Sequence, residues 1–198
     1  MNRFPFIVVV PLLAVLAGCS TPEQFKGVEI GENPTLITSI PPLLQTKHVS
    51  CGPTCVAAVA AYWGKDYSSL ITPSEPYYAE DFNARDLTNL VQRLELKSFI
   101  YSGSMTNLED QIRNGRPVIV LVPRPDYKRS PNVTFNGVPM DGLGDVFGPN
   151  YSHWLIVIGF TDDKMILQDP AAGRMMVTRS KFENWWAAKR RTCLLITP

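Results

Sequence analysis

The sequence predicts an α+β domain, helices in its first half and a mostly antiparallel sheet in its second. Three observations predict it. The run Cys51 to Gly64 is apolar at almost every position, the pattern of a helix that passes through a core. Apolar residues at helical spacing continue as far as Gly115. Beyond Pro117, short β-branched runs divided by turns take over. Helices segregated from strands make an α+β pattern rather than the alternation of a doubly wound sheet.

The amino terminus is expected to be removed rather than folded. Arg3 is followed by an apolar stretch, Phe4 to Leu16, interrupted by Pro5 and Pro11. A basic start, a short apolar run and small residues before a cut describe a secretory signal. The run is short for a bilayer core of roughly 30 Å. Leu16-Ala17-Gly18-Cys19 resembles the lipobox of bacterial lipoproteins. That resemblance implies lipidation at Cys19, cleavage after residue 18 and a membrane-held chain facing the periplasm. Ser20 after the cysteine resembles the outer-membrane sorting rule more than the inner-membrane one. Residues 1–18 are thus read as signal peptide, 19–40 as a polar tether broken by Pro22, Gly27, Gly31 and Pro34, and 41–198 as the folded domain.

Charge narrows the partners. The chain has 19 basic and 18 acidic residues. Loss of Arg3 with the signal leaves a formal charge of zero, and no basic stripe suggests nucleic acid. No set of Cys and His has zinc-ligand spacing, so neither a metal nor a cofactor is expected.

The elements follow in order. In the helix from Cys51, Pro53 suits the first turn, where its missing N–H is no loss, and Gly64 suits a left-handed stop. A second helix follows Asn83, with Leu87, Leu90, Val91 and Leu94 on one stripe. A third is expected to start at Thr106, with Glu109 completing a capping box and Gly115 as its stop. Strands are expected at Val118–Val122, Trp154–Phe160, Met165–Gln168, Arg174–Thr178 and Thr192–Thr197. Turns fall at Asp162-Asp163 and Ala172-Gly173. Ser180 and Glu183 read as a further capping box, ahead of Phe182, Trp185 and Trp186. The stretch Arg124 to Tyr151 is long and rich in Pro, Gly, Asn and Asp. Loops of that length are usually functional, and this one leads into His153, so it is read as a rim or lid.

The chemistry centres on Cys51. A thiol attacks as the thiolate, and its reference pKa of about 8.5 falls at a helix N-terminus or beside an imidazolium. Cys51 stands where the first helical N–H groups lack partners within the helix. Gly52 is expected to let a substrate backbone approach closely. The base comes from one of two histidines, His48 and His153. His153 opens a strand and Asp169 ends a later one. A base on a strand end, oriented by a carboxylate on a neighbouring strand, is the spatial logic of a triad. His153 is therefore read as the base, Asp169 as its orienting group and His48 as a bystander. Cys55 and Cys193 are read as buried thiols packing as small hydrophobes. The alternative is a bridge, including one between Cys51 and Cys55 that would silence the site.

These residues resemble a known family. Gln45 followed by Cys51-Gly52, the run His153-Trp154-Leu155-Ile156-Val157-Ile158-Gly159, and Leu167-Gln168-Asp169-Pro170-Ala171-Ala172-Gly173 are similar to the motifs of the bacteriocin-processing cysteine peptidases, or double-glycine leader peptidases. The Phe and Trp helix at Phe182 to Trp186 fits the same order. The resemblance implies a papain-like fold and cleavage after a Gly-Gly pair. It also implies that the Gln45 amide donates to the oxyanion beside the Cys51 backbone N–H. The sequence departs from the family at Ser50, where many members carry Asp or Glu, and in reading as exported, where many act on the cytosolic side as parts of a transporter. The expected function is a cell-envelope cysteine endopeptidase acting on an exported peptide or secretion substrate. The alternatives are a non-catalytic peptide-binding lipoprotein partnered with a secretion system, and a transamidase or amidase using the same thiol.

Overall fold

The computed structural model describes residues 33–46, 50–71, 82–123, 134–135, 138–139 and 152–198. Cys19 with the signal and most of the tether, His48, and the expected rim apart from one short hairpin lie outside them. No helix among the described residues is long and apolar enough to cross a membrane.

The chain enters through strand β1 (Thr35–Leu36), then helix α1 (Cys51–Tyr62). Nearly every side of α1 is buried, from Cys51 to Ala60, as its apolar sequence requires. Gly64 ends it with φ of +73°. A short helix α2 (Ser68–Ile71) precedes α3 (Ala84–Arg93). There Asn83 and Asp86 form a capping box, and Leu87, Leu90 and Val91 are buried. Strand β2 (Lys97–Ser102), helix α4 (Met105–Arg113) and strand β3 (Val118–Pro123) follow. Two-residue strands β4 (Thr134–Phe135) and β5 (Val138–Pro139) pair with each other. The second half is β6 (Ser152–Phe160), β7 (Lys164–Asp169), β8 (Gly173–Thr178), α5 (Arg179–Ala187) and β9 (Thr192–Thr197).

One seven-stranded sheet, in the order β2-β9-β3-β6-β7-β8, organises the domain, with β1 pairing onto the far end of β6. Every pairing in it is antiparallel. Alternation along β6 sends Trp154, Ile156 and Ile158 into the core with α1 and α3. It sends Leu155 and Val157 to the other face, where Leu108 of α4 and Phe182 and Trp186 of α5 pack. A core on each face, built from side chains of alternating parity, locks the register, because a slip by one residue would exchange the two.

Three expectations are corrected and one strand is added. Helix α4 starts at Met105, and its cap is Ser104, which has extended dihedrals and accepts from the Asn107 N–H. Thr106 is already inside the helix, and Glu109 pairs with Arg113 and Arg179 instead of closing a box. Helix α5 is capped by Thr178, which accepts from the Lys181 N–H, while Glu183 pairs with Arg191. Strand β2 was not anticipated: it is an edge strand with Phe99 and Ile100 exposed, so no buried alternation marks it. The packed domain also begins before residue 41, since Thr35 and Leu36 pair with β6 and Ile37 and Ile40 are buried.

Candidate active site

The site forms where three elements meet: the first turn of α1, the start of β6 and the end of β7. The β6–β7 pairing stops at Ile156↔Gln168. Trp154 lies beyond it, and its main chain turns to the helix instead. The Trp154 backbone hydrogen-bonds to Cys51, and its carbonyl accepts from the Cys55 thiol at 3.4 Å. One residue of β6 thereby docks the helix end against the sheet.

His153, immediately before it, is held from two sides. Its Nε2 lies 2.8 Å from Asp169 Oδ1. Its other contact is a hydrogen bond with the Cys51 side chain, and with Nε2 committed to Asp169 the nitrogen for it is Nδ1. Asp169 Oδ1 also accepts from the Ala171 N–H at 2.7 Å, which fixes the carboxylate in the turn after β7. Cys51, His153 and Asp169 are thus one hydrogen-bonded line, and all three are buried.

Electrostatics favour an ion pair along that line. Burial raises the Cys51 pKa, but the hydrogen bond and charge of His153 and the Trp154 backbone outweigh it and hold the thiol below its ordinary value. Burial works to lower the His153 pKa, but the Asp169 charge and hydrogen bond, with Cys51 behind them, push it up to about 10. Both shifts run toward a thiolate facing an imidazolium, the form in which a cysteine attacks. Burial pushes the Cys55 and Cys193 thiols upward instead. Both are free and buried, and among the described residues neither has an imidazolium beside it to offset the desolvation.

Gln45 comes to the same end of the sheet. It is 2% exposed, and its backbone N–H donates to the Pro170 carbonyl at 2.7 Å, one residue past Asp169. Leu44 beside it is exposed. Ser50 gives α1 no side-chain cap, so no hydroxyl at the N-cap competes for the N–H groups beside Cys51.

The role read for Gly52 is corrected. A Cβ there would lie 2.8 Å from Leu87 Cδ2 and 3.2 Å from Trp154 Cδ1. The close approach that needs glycine is made by the core of the protein, with Trp154 pinned by its Nε1–H donating to the Phe82 carbonyl at 2.8 Å. Sequence reasoning did not single out Trp154 as a site residue. Its contribution to Cys51 is a main-chain one, which no side-chain pattern encodes.

The fold around the site is shared with known structures. Among solved structures, a C39-like peptidase from Bacillus anthracis superposes with a TM-score of 0.60 at 17% identity, over 84% of this chain and 98% of that one. The peptidase domain of Streptococcus ComA, a bifunctional ABC transporter of a quorum-sensing pathway, gives 0.57 at 19% identity, over 79% and 96%. A double glycine motif protease from an AMS/PCAT transporter, in complex with the leader peptide, gives 0.52 at 17% identity, over 80% and 91%. These similarities establish the papain-like peptidase fold expected from the sequence. No curated protein sequence matches the chain. The family profile matches residues 37–194, a stretch that carries every element of the site, and the chain belongs to the Peptidase_C39 like family.

Proposed function

We propose that the protein is a cysteine endopeptidase of the bacterial cell envelope, with Cys51 as nucleophile, His153 as acid and base, Asp169 as its orienting group and Gln45 in the oxyanion hole. The observation that carries the reading is the buried line from Cys51 through His153 to Asp169, closed by the 2.8 Å contact at Nε2. A binding module would need neither the imidazole nor the carboxylate behind the thiol.

The Cys51 thiolate attacks the scissile carbonyl carbon. Negative charge moves to the carbonyl oxygen, which the Cys51 backbone N–H and the Gln45 side-chain amide receive. The His153 imidazolium gives its Nδ1 proton to the departing amine, leaving a thioester on Cys51. Neutral His153 then takes a proton from water, the hydroxide attacks the thioester, and the acid product leaves as the thiolate–imidazolium pair is restored. Asp169 keeps one tautomer throughout and stabilises each imidazolium. Loss of one oxyanion donor typically costs about 2.7–4 kcal/mol of barrier.

The family and the amino terminus support a class of substrate. A fold neighbour is held with a leader peptide, which supports a peptide substrate, with cleavage after Gly-Gly as the first sequence to test. Export and lipidation at Cys19 place the site at the envelope, facing the periplasm, where a secretion system would supply that peptide.

Wild type and Cys51→Ala are compared on a panel of Gly-Gly peptides and on exported proteins of the same cell. Cleavage by the wild type alone is expected. Binding by both proteins with no cleavage would overturn the reading in favour of a peptide-binding lipoprotein. Transfer of the acyl group to an added amine faster than to water would favour the transamidase. Cys19→Ala tests the anchor: the variant is expected to lose its lipid and leave the membrane fraction.

A further inference from the structure

Gln45 carries its proposed role from a segment with no regular secondary structure, and the structure holds that segment in an unusual way. Residues 38–45 run across the ends of β7 and β8. Ile40 is 1% exposed and sits in the core beside α1. The next two residues are Pro41 and Pro42. Proline fixes its own φ and confines the residue before it to extended backbone, so Ile40 to Pro42 is stiff before any contact forms. Neither proline has an N–H, so the stretch cannot pair as a strand. It is fastened through its carbonyls.

The fasteners are two side chains. Arg174 donates through one guanidinium nitrogen to the Ile40 carbonyl at 2.6 Å and the Thr38 carbonyl at 3.4 Å. Gln168 Nε2 donates to the Pro41 carbonyl at 2.6 Å. Gln168 and Arg174 are register partners across β7 and β8, so both project from the same face. The Pro41 carbonyl also accepts from the Leu43 N–H at 2.9 Å, and the Gln45 N–H closes the segment on Pro170 at 2.7 Å. Gln168 is 1% exposed, and Arg174 is drawn far enough from water that burial lowers its pKa. Gln168 is thus a core residue and Arg174 a half-buried one whose guanidinium reaches main-chain oxygens of the segment.

We propose that Gln168 and Arg174 are positioning residues for the oxyanion hole, a cross-strand clamp that sets where the Gln45 amide stands. The proposal rests on the peptidase reading above. A donor displaced by about 1 Å can cost on the order of 100-fold in rate without touching the reacting atoms. A clamp acting through Gln45 lowers kcat and leaves KM and the thiolate alone.

The test uses the full chain with Arg174→Met, Gln168→Met and the conservative Arg174→Lys, each with and without Gln45→Ala. Arg174→Met is expected to lower kcat roughly 10- to 100-fold, with KM and iodoacetamide alkylation of Cys51 within about twofold of wild type. Arg174→Lys is expected to recover most of the loss. Arg174→Met in the Gln45→Ala background is expected to add nothing. Backbone amide exchange over residues 38–45 is expected to quicken while that of α1 does not. A wild-type kcat in Arg174→Met, losses that multiply with Gln45→Ala, or exchange that rises equally in α1 would each overturn the clamp. If the wild type cleaves no peptide, the peptidase reading fails and the oxyanion role falls with it, while amide exchange still decides whether Gln168 and Arg174 hold residues 38–45: unchanged exchange overturns that hold, and selective quickening upholds it.

Discussion

His153 Nε2 and Asp169 Oδ1 lie 2.8 Å apart, at residues 2% and 0% exposed. Burial decides what that contact does. On a surface, water would screen the carboxylate, and the pair would matter little. Here the carboxylate keeps most of its field, and the imidazole is held as imidazolium despite its own desolvation.

Asp169→Asn tests this directly. Asparagine can still accept at Nε2, so the ring keeps a partner and loses the charge. Because the Asp169 charge leads the causes that raise His153, the alkaline limb of kcat/KM is expected to fall from near 10 toward the ordinary imidazole value. The acid limb should rise, since a weaker imidazolium supports less thiolate. Turnover is expected to drop by roughly 10²- to 10⁴-fold. A variant with an unmoved alkaline limb would show that Asp169 does not set the imidazole.

The same shift makes a statement about stability. The His153 pKa is raised on folding from the ordinary 6.5 to about 10, so the folded state binds its proton more tightly. That stabilisation is fully present below about 6.5 and is lost as pH climbs through about 10. Cys51 works in the opposite sense. Its pKa is lowered on folding from 9.0, so its contribution is present above that value and is lost as pH falls through the folded pKa. In urea unfolding of a Cys51→Ala background, where the opposing thiol titration is absent, the stability gap between His153 and His153→Gln should therefore narrow as pH rises from 8 to about 11. A gap constant across that range would contradict the ion pair.

Thiol selectivity follows from the same electrostatics. All three described cysteines are buried, so burial alone cannot separate them. Only Cys51 has its pKa lowered, and Cys55 and Cys193 are raised. Iodoacetamide is expected to label Cys51 at least about 100-fold faster than the other two, with selectivity abolished by His153→Ala. Cys55→Ala should keep catalytic activity. Comparable labelling of all three in the native protein would count against an activated nucleophile.

Much of this was legible in the residues. The buried character of α1 follows from its composition, because a run with Thr54 as its one plainly polar side chain has no face to give to water. His153 and Asp169 could be paired because each sits at the end of an apolar run, and two strand ends of one antiparallel sheet meet naturally. The contribution of the Trp154 backbone was not legible, since it depends on where β7 stops pairing. The clamp on residues 38–45 was hidden for a related reason. Gln168 and Arg174 are six residues apart in sequence and become partners only through the β7–β8 register. Strand β2 was missed because an exposed edge needs no apolar alternation.

The helix caps separate pattern from structure in a measurable way. Sequence spacing favours Thr106 with Glu109 and Ser180 with Glu183, while the folded chain uses Ser104 and Thr178. An N-cap hydroxyl contributes about 1 kcal/mol, and one already within the first turn, as at Thr106, contributes little. Ser104→Ala is expected to destabilise by that amount and Thr106→Ala by no more than a few tenths, both read from urea midpoints. The reverse ranking would show that α4 starts later than the structure has it.

Gly52 joins the packing of the core to the site. Its missing side chain is the space filled by Leu87 Cδ2 and Trp154 Cδ1, at 2.8 and 3.2 Å from where a Cβ would stand. Trp154 cannot retreat without breaking its hydrogen bond to the Phe82 carbonyl, and its backbone also bonds to Cys51. Leu87 is fully buried but ends in a methyl group that can be removed. Gly52→Ala is therefore expected to destabilise by about 1–3 kcal/mol through overpacking and to lower activity further than stability alone predicts, by shifting the Trp154 backbone under the thiolate. Leu87→Ala alone should cost about 2–5 kcal/mol as a cavity. In the double variant the new methyl occupies part of that cavity, so the combined loss should fall short of the sum by about 0.5–3 kcal/mol, with part of the activity restored. Urea unfolding of the four proteins gives the coupling. Simple additivity would mean that Gly52 is required by something other than Leu87, with Trp154 Cδ1 at 3.2 Å the next candidate.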